Sequence, residues 1–92
     1  MSTFDGSTYD ENRDGTRLRV QLESVWTLMK DSNWRTLFDI SAHTGHPEAS
    51  VSARLRDFRK KKFGGHTVER AYVSKGLWMY RLHPNGDLKG RG

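Results

Sequence analysis

Residues 34–82 read WRTLFDISAHTGHPEASVSARLRDFRKKKFGGHTVERAYVSKGLWMYRL, and the order of elements in this stretch decides the fold. Thr36 is an N-cap residue type, and Leu37, Phe38 and Ile40 supply an inward face for a short helix running to about Thr44. Gly45 suits a left-handed C-cap because it carries no Cβ. Pro47 fits the first position of the next helix, where its missing N–H is not needed and its φ is already helical. Glu48 complements the dipole in that first turn. Val51, Leu55 and Phe58 then recur at helical spacing, which predicts a helix over 47–62 that Gly64-Gly65 stops.

Two strands are expected next. His66 to Val73 is rich in Val, Tyr and Thr, and Leu77 to Leu82 reads Leu-Trp-Met-Tyr-Arg-Leu. Ser74-Lys75-Gly76 joins them as a tight turn. Val68, Arg70 and Tyr72 alternate with Glu69, Ala71 and Val73, and the face carrying Tyr80 and Leu82 is expected to meet the core. A short helix, a glycine turn, a basic helix and a hairpin are the skeleton of an α+β winged helix-turn-helix. The full expectation is three helices with a C-terminal β-hairpin wing.

Upstream, Leu18, Leu22, Val25 and Met29 form another helical stripe, with Trp26 beside it and Thr16 as its expected N-cap. Asp31-Ser32-Asn33 ends that helix. Trp34-Arg35-Thr36 is long enough for one bridging strand, which in this architecture pairs with a wing strand. Residues 1–15, rich in Gly, Ser, Thr, Asn and Asp, read as a flexible arm. Residues 16–83 read as the domain, and residues 84–92 as a frayed polar tail.

Composition narrows the function. A chain of 92 residues with 34% hydrophobic side chains has room for one modest core. With no Cys, it has no disulfide, thiolate metal site or Cys nucleophile. No long apolar run or secretory leader pattern is present, so a cytoplasmic protein is expected. The net charge of +5 is unevenly spread: residues 1–15 set four acidic side chains against Arg13, so the remainder is more basic than the whole. A basic body attracts polyanions.

The 47–62 helix concentrates that charge. With Val51 facing the core, the opposite face carries Ala49, Ala53, Arg56 and Lys60. Ser50 and Arg54 lie on one flank, Ser52 and Arg59 on the other. Small residues let a helix sit deep in a major groove, an alanine methyl can meet a thymine methyl, and arginine can grip guanine O6 and N7. The expected base readers are therefore Ala49, Ser50, Ala53, Arg54 and, first among them, Arg56. Expected phosphate contacts are Arg35, His46, Ser52, Arg59, Lys60, Lys61 and, at the hairpin tip, Lys75. Arg70 and Arg81 would line the wing's flanks. Asp57 is expected to pair with Arg54 or Lys61 and orient it. Trp34 and Trp78 read as core or hairpin-packing residues.

Catalysis is not expected. His43, His46, His66 and His83 match no common ligand spacing, so no metal or cofactor is expected. Ser50 and Ser52 have no base at a suitable position. Asp39, Glu48, Asp57 and Glu69 form no recognisable acid/base pair.

The segment Trp34–Leu82 resembles winged-helix DNA-binding proteins of bacteriophages and prophages. Pro47-Glu48-Ala49-Ser50-Val51-Ser52-Ala53-Arg54-Leu55-Arg56-Asp57 follows the second helix of that group's motif, with Phe58 where Leu is familiar. Gly64-Gly65, Val68-Glu69-Arg70, Gly76-Leu77 and Tyr80-Arg81-Leu82 resemble its wing. The resemblance implies a non-enzymatic, sequence-specific protein of double-stranded DNA in the bacterial host cytoplasm. Its roles would be transcriptional regulation or a replication or recombination accessory function. A homodimer and a host or phage protein partner are compatible with it.

The alternative is a protein-interaction module that docks its basic face on an acidic surface. An exposed apolar patch around Phe38, Trp34 or Trp78, with the basic helix partly occluded, would favour it. Single-strand or RNA binding ranks third, because the sequence shows no clean sheet face that interleaves aromatic and basic residues.

Overall fold

The computed structural model describes the backbone of residues 7–86 and 88, with side chains from residue 15 onward. The expectations for residues 1–6, 87 and 89–92 lie outside the described residues. Helix α1 spans Ser7–Met29, β1 Arg35–Thr36, α2 Leu37–Thr44, α3 Glu48–Phe58, β2 Thr67–Ser74 and β3 Leu77–His83. This is a winged-helix-like architecture: three helices followed by an antiparallel hairpin, with β1 on its flank. The sheet order is β1-β3-β2.

The start of α1 corrects the expected arm. The helix begins at Ser7, so Thr16 lies inside it rather than at its N-cap. Gly15 is the weakest helix former in the span, but one interior glycine costs only about 1 kcal/mol relative to alanine. Leu22, Val25 and Met29 are buried as the stripe predicted, with Leu18 and Trp26 packed beside them. They meet Ile40, Val51, Leu55, Phe58 and Leu82 in one core. Each such side chain contributes on the order of 1.5–3 kcal/mol of transfer free energy.

Helix α2 has the expected bounds. Thr36 Oγ1 accepts from the Asp39 N–H at 3.0 Å, and the Asp39 carboxylate accepts from the Thr36 N–H at 3.2 Å. This reciprocal capping box fixes the start of the helix. Gly45 (φ 79°) ends it, as expected. Phe38 departs from expectation: it is 68% exposed, because Leu37 and Ile40 already fill the inward arc of so short a helix.

Helix α3 is shorter than 47–62. Pro47 is the N-cap rather than the first helical residue, and the helix ends at Phe58. The Phe58 carbonyl accepts from the His66 N–H at 2.8 Å. Lys60 is extended, and Lys61–Phe63 form a single 3-10 turn that returns Phe63 to the core. A helix continued to Lys62 would set Arg59 and Lys62 at a repulsive i,i+3 spacing and crowd four consecutive cations into its last turn. The break avoids this.

The hairpin closes on Lys75 (φ 46°) and Gly76 (φ 79°). Two successive positive φ values make the primed turn that matches strand twist. Ser74, expected in the turn, pairs with Leu77, and the register slips between Tyr72 and Ser74. Arg70 lies opposite Tyr80, Tyr72 opposite Trp78 and Val68 opposite the fully buried Leu82, so the core-facing side of the hairpin is the one expected. The bridging stub also pairs as expected, Arg35 with Tyr80 and Thr36 with Met79.

The start of the C-terminal tail is tied down. His66 is buried, 4.8 Å from the Trp26 ring and 6.4 Å from Phe58. Its Nδ1 accepts from the Asn85 N–H at 2.7 Å, which places the proton on Nε2 to donate to the Leu88 carbonyl at 3.1 Å. Leu88 packs against the core. A frayed tail from residue 84 is therefore corrected up to this point: a buried imidazole with two ring nitrogens requires partners, and the tail backbone supplies them.

Candidate nucleic-acid interface

The rotation of α3 is set by Val51, Leu55 and Phe58, and neighbouring elements decide what its two flanks can do. On the α1 side, Arg54 Nε donates to Asp57 Oδ2 at 2.9 Å and Arg54 Nη1 to Gln21 Oε1 at 2.7 Å. Asp57 is buried and also meets Lys60 Nζ at 3.1 Å. The Arg54 side chain is only 18% exposed. It is a strut between α3 and α1, held by Asp57 as anticipated. Lys60, rather than Lys61, is Asp57's second partner.

The opposite flank faces the hairpin. Ser52, Arg56 and Arg59 from α3 converge with Arg70 and Tyr80 on a cleft of about 400 Å³. Leu55 and Val68 form its apolar floor. Arg70 is held over the Trp78 ring, with its guanidinium carbon 4.7 Å from the ring centroid. Arg56 Nη1 reaches Ser52 Oγ at 3.4 Å, a long and weak contact. Among the described residues, no carboxylate pairs with Arg56, Arg59 or Arg70. Three uncompensated guanidinium groups around one groove form a phosphate-attracting surface.

Several cations elsewhere are paired with carboxylates. Arg35, an expected phosphate contact, forms a two-pronged pair with Asp31 at 2.9 and 3.0 Å. Its hydrogen bonds hold the Asp31 carboxyl well below the usual carboxylate range, with the Asn33 N–H lowering it further. On the outer sheet face, Arg81 lies 4.5 Å over the Trp34 ring and donates to Glu69 at 2.7 Å. His83 reaches the same carboxylate at 2.8 Å, and the His83 and Arg81 hydrogen bonds lower the Glu69 pKa.

The remaining expected contacts are dispersed. Ala49 is exposed and Ala53 half-buried on the outward face of α3, beside Arg56. Ser50 is half-buried on the α1 flank. His46 lies in the turn before α3, its Nε2 buried without a hydrogen-bond partner. Lys61 is exposed in the 3-10 turn and Lys75 at the hairpin tip. Of the expected contacts, the structure brings Ser52, Arg56 and Arg59 together, and it adds Arg70 and Tyr80. The signal for Arg70 was available, since it is a cation on the strand face that carries Val68. By its alternation with Leu82, Tyr80 reads from sequence as a core-facing residue.

No protein-family model, curated protein or solved structure matches the chain. Among the described residues, no three His, Asp or Glu side chains cluster as metal ligands. No described helix is long and apolar enough to cross a membrane.

The inner hairpin face sets one cation among aromatic rings: Arg70 covers Trp78, Tyr72 meets the Trp78 ring edge-on at 5.3 Å, and Tyr80 follows along the same strand face. The register slip near the tip and the pairing of Arg70 with Tyr80 produce this surface, and neither strand shows it alone.

Proposed function

We propose that the chain binds double-stranded DNA without catalysing a reaction. Helix α3 enters a major groove, and the cleft between α3 and the hairpin grips the adjacent backbone. The observation that carries this reading is the convergence of Arg56, Arg59 and Arg70, without carboxylate partners, on one cleft. Ala49, Ala53 and Arg56 form the outward face that meets base edges. Ser52, Arg59 and Arg70 hold phosphates, and Lys61 and Lys75 extend the contact at either end. Occupancy of a site would then block or recruit other machinery, as a transcriptional regulator or a replication or recombination accessory factor does.

Phe38 supports the protein-docking alternative in one respect, because it is an exposed apolar side chain beside the hairpin. The second condition for that reading is not met, since Arg56 and Arg59 are exposed rather than occluded.

Fluorescence anisotropy with random and phage intergenic duplexes at two salt concentrations tests the DNA reading. Binding should weaken steeply with salt, by a log–log slope of about −0.9 per phosphate contact. Arg56→Ala should reduce discrimination between duplexes. Absence of duplex binding above background at low salt would sink the proposal.

A further inference from the structure

Tyr80 separates two clefts. The cationic one lies between α3 and the hairpin. The other, of about 260 Å³, is bounded by Phe38, Leu77, Trp78, Tyr80 and Glu48. Phe38 and Leu77 are 68% and 45% exposed, and neither belongs to the core. Tyr80 lines both clefts.

We propose that the paired clefts hold one unstacked nucleotide, its phosphate between Arg59 and Arg70 and its base against Phe38, Trp78 and Tyr80. This rests on the DNA reading above and narrows it. The preferred ligand is duplex DNA that offers an unpaired base beside the helix, as a single-stranded overhang does.

Charge and size select this occupant. Of the two clefts, one is lined by Arg56, Arg59 and Arg70, and the other contains a single charged residue, Glu48. A phosphate is drawn to the first and repelled from the second. The ligand must therefore be anionic at one end and flat, apolar and rich in N–H donors at the other, which describes a nucleotide. Glu48 can accept from the exocyclic amine of cytosine, adenine or guanine. The aromatic cleft falls below the roughly 300–1,000 Å³ of drug-sized ligand pockets and suits a single planar ring system. Stacking on aromatic side chains accepts any base, because every base has a π-face.

The test uses the full chain with three labelled probes: a blunt duplex, the same duplex with a short overhang, and the overhang strand alone. Wild type is compared with Phe38→Ala and Phe38→Trp. Phe38 is exposed, so circular dichroism should show both variants folded. The overhang duplex should bind roughly five- to a hundredfold more tightly than the blunt one, the range for stacking one base. Phe38→Ala should erase that excess and leave blunt binding unchanged, while Phe38→Trp should restore it. Equal affinity for blunt and overhang duplexes overturns the nucleotide site and leaves the duplex reading standing. An overhang preference that survives Phe38→Ala also overturns the site, because the base then sits elsewhere. If the single strand alone binds as well as the overhang duplex, and does so through Phe38, the site stands and the duplex reading falls. No binding to any probe overturns both and turns Phe38 toward a protein partner.

Discussion

Arg70 and Arg81 make a matched pair for testing whether the cleft, or merely the charge, binds DNA. Both lie on the hairpin, and both stack on a tryptophan, at 4.7 Å over Trp78 and 4.5 Å over Trp34. They occupy opposite sheet faces, since Arg70 pairs with Tyr80 and Arg81 with Glu69. Only Arg70 faces α3 across the cleft. Each alanine variant removes one positive charge, so a diffuse electrostatic attraction would treat the two alike. On the proposed reading, Arg70 donates to a phosphate in the cleft. A hydrogen bond to a charged partner contributes about 1.5–3 kcal/mol, so Arg70→Ala should raise Kd roughly ten- to a hundredfold. The log Kd against log salt slope should flatten by about 0.9, the value for one phosphate contact. Each lost cation–π stack should cost only about 0.5–1 kcal/mol of stability, which leaves both variants folded. Arg81→Ala should keep the wild-type slope and lose less than threefold in affinity, about 0.7 kcal/mol. The assay is anisotropy against one duplex across a salt series, with thermal melts alongside. Equal losses and equal slopes for the two variants would refute the cleft and leave only net charge.

Gly64→Ala should cost about 3–4 kcal/mol in urea unfolding. Its φ of 113° strains any L side chain by about 1–2 kcal/mol. An added Cβ would also fall on the His66 imidazole, whose two hydrogen bonds contribute on the order of 1 kcal/mol each. Gly65→Ala, with φ 59° and no neighbour nearer than 4.0 Å, should cost only the backbone strain; equal losses at the two sites would show that the imidazole yields freely. Asp31→Asn tests the pH dependence. The folded-state pKa of Asp31 is depressed, so its stabilisation is present above the unfolded carboxyl value of about 4 and is lost as pH falls below it. Denaturation at pH 7 and pH 3 should show a smaller acid loss for the variant than for wild type, by under about 1 kcal/mol because the pair is exposed. An acid loss in the variant as large as in wild type would rule that linkage out.

The fold was legible wherever the chain carries its own punctuation. Thr36 with Asp39, Gly45, and the Lys75-Gly76 turn are local devices, and the structure uses all three. Boundaries that depend on distant partners were misread. Helix α3 stops at Phe58 because His66, eight residues on, caps the Phe58 carbonyl and because Phe63 must return to the core. Gly15 looked like a boundary and is only a weak helix residue. Phe38 looked like core because periodicity marks apolar positions without counting how many an eight-residue helix can bury.

The candidate site divides along the same line. The sequence determined that one helix presents Ala49, Ala53 and Arg56 opposite Val51, because the 100° step per residue is a local property. It placed Arg54 and Arg59 on opposite flanks, Arg54 as a base reader and Arg59 as a phosphate clamp. Tertiary structure decided between them: α1 brings Gln21 to Arg54, while the hairpin brings Arg70 and Tyr80 to Arg59. That outcome depends on which elements pack against each flank, and residues 33 positions apart have no sequence periodicity to connect them. Helix faces follow from short-range geometry, whereas the choice of which cations remain free follows from long-range packing.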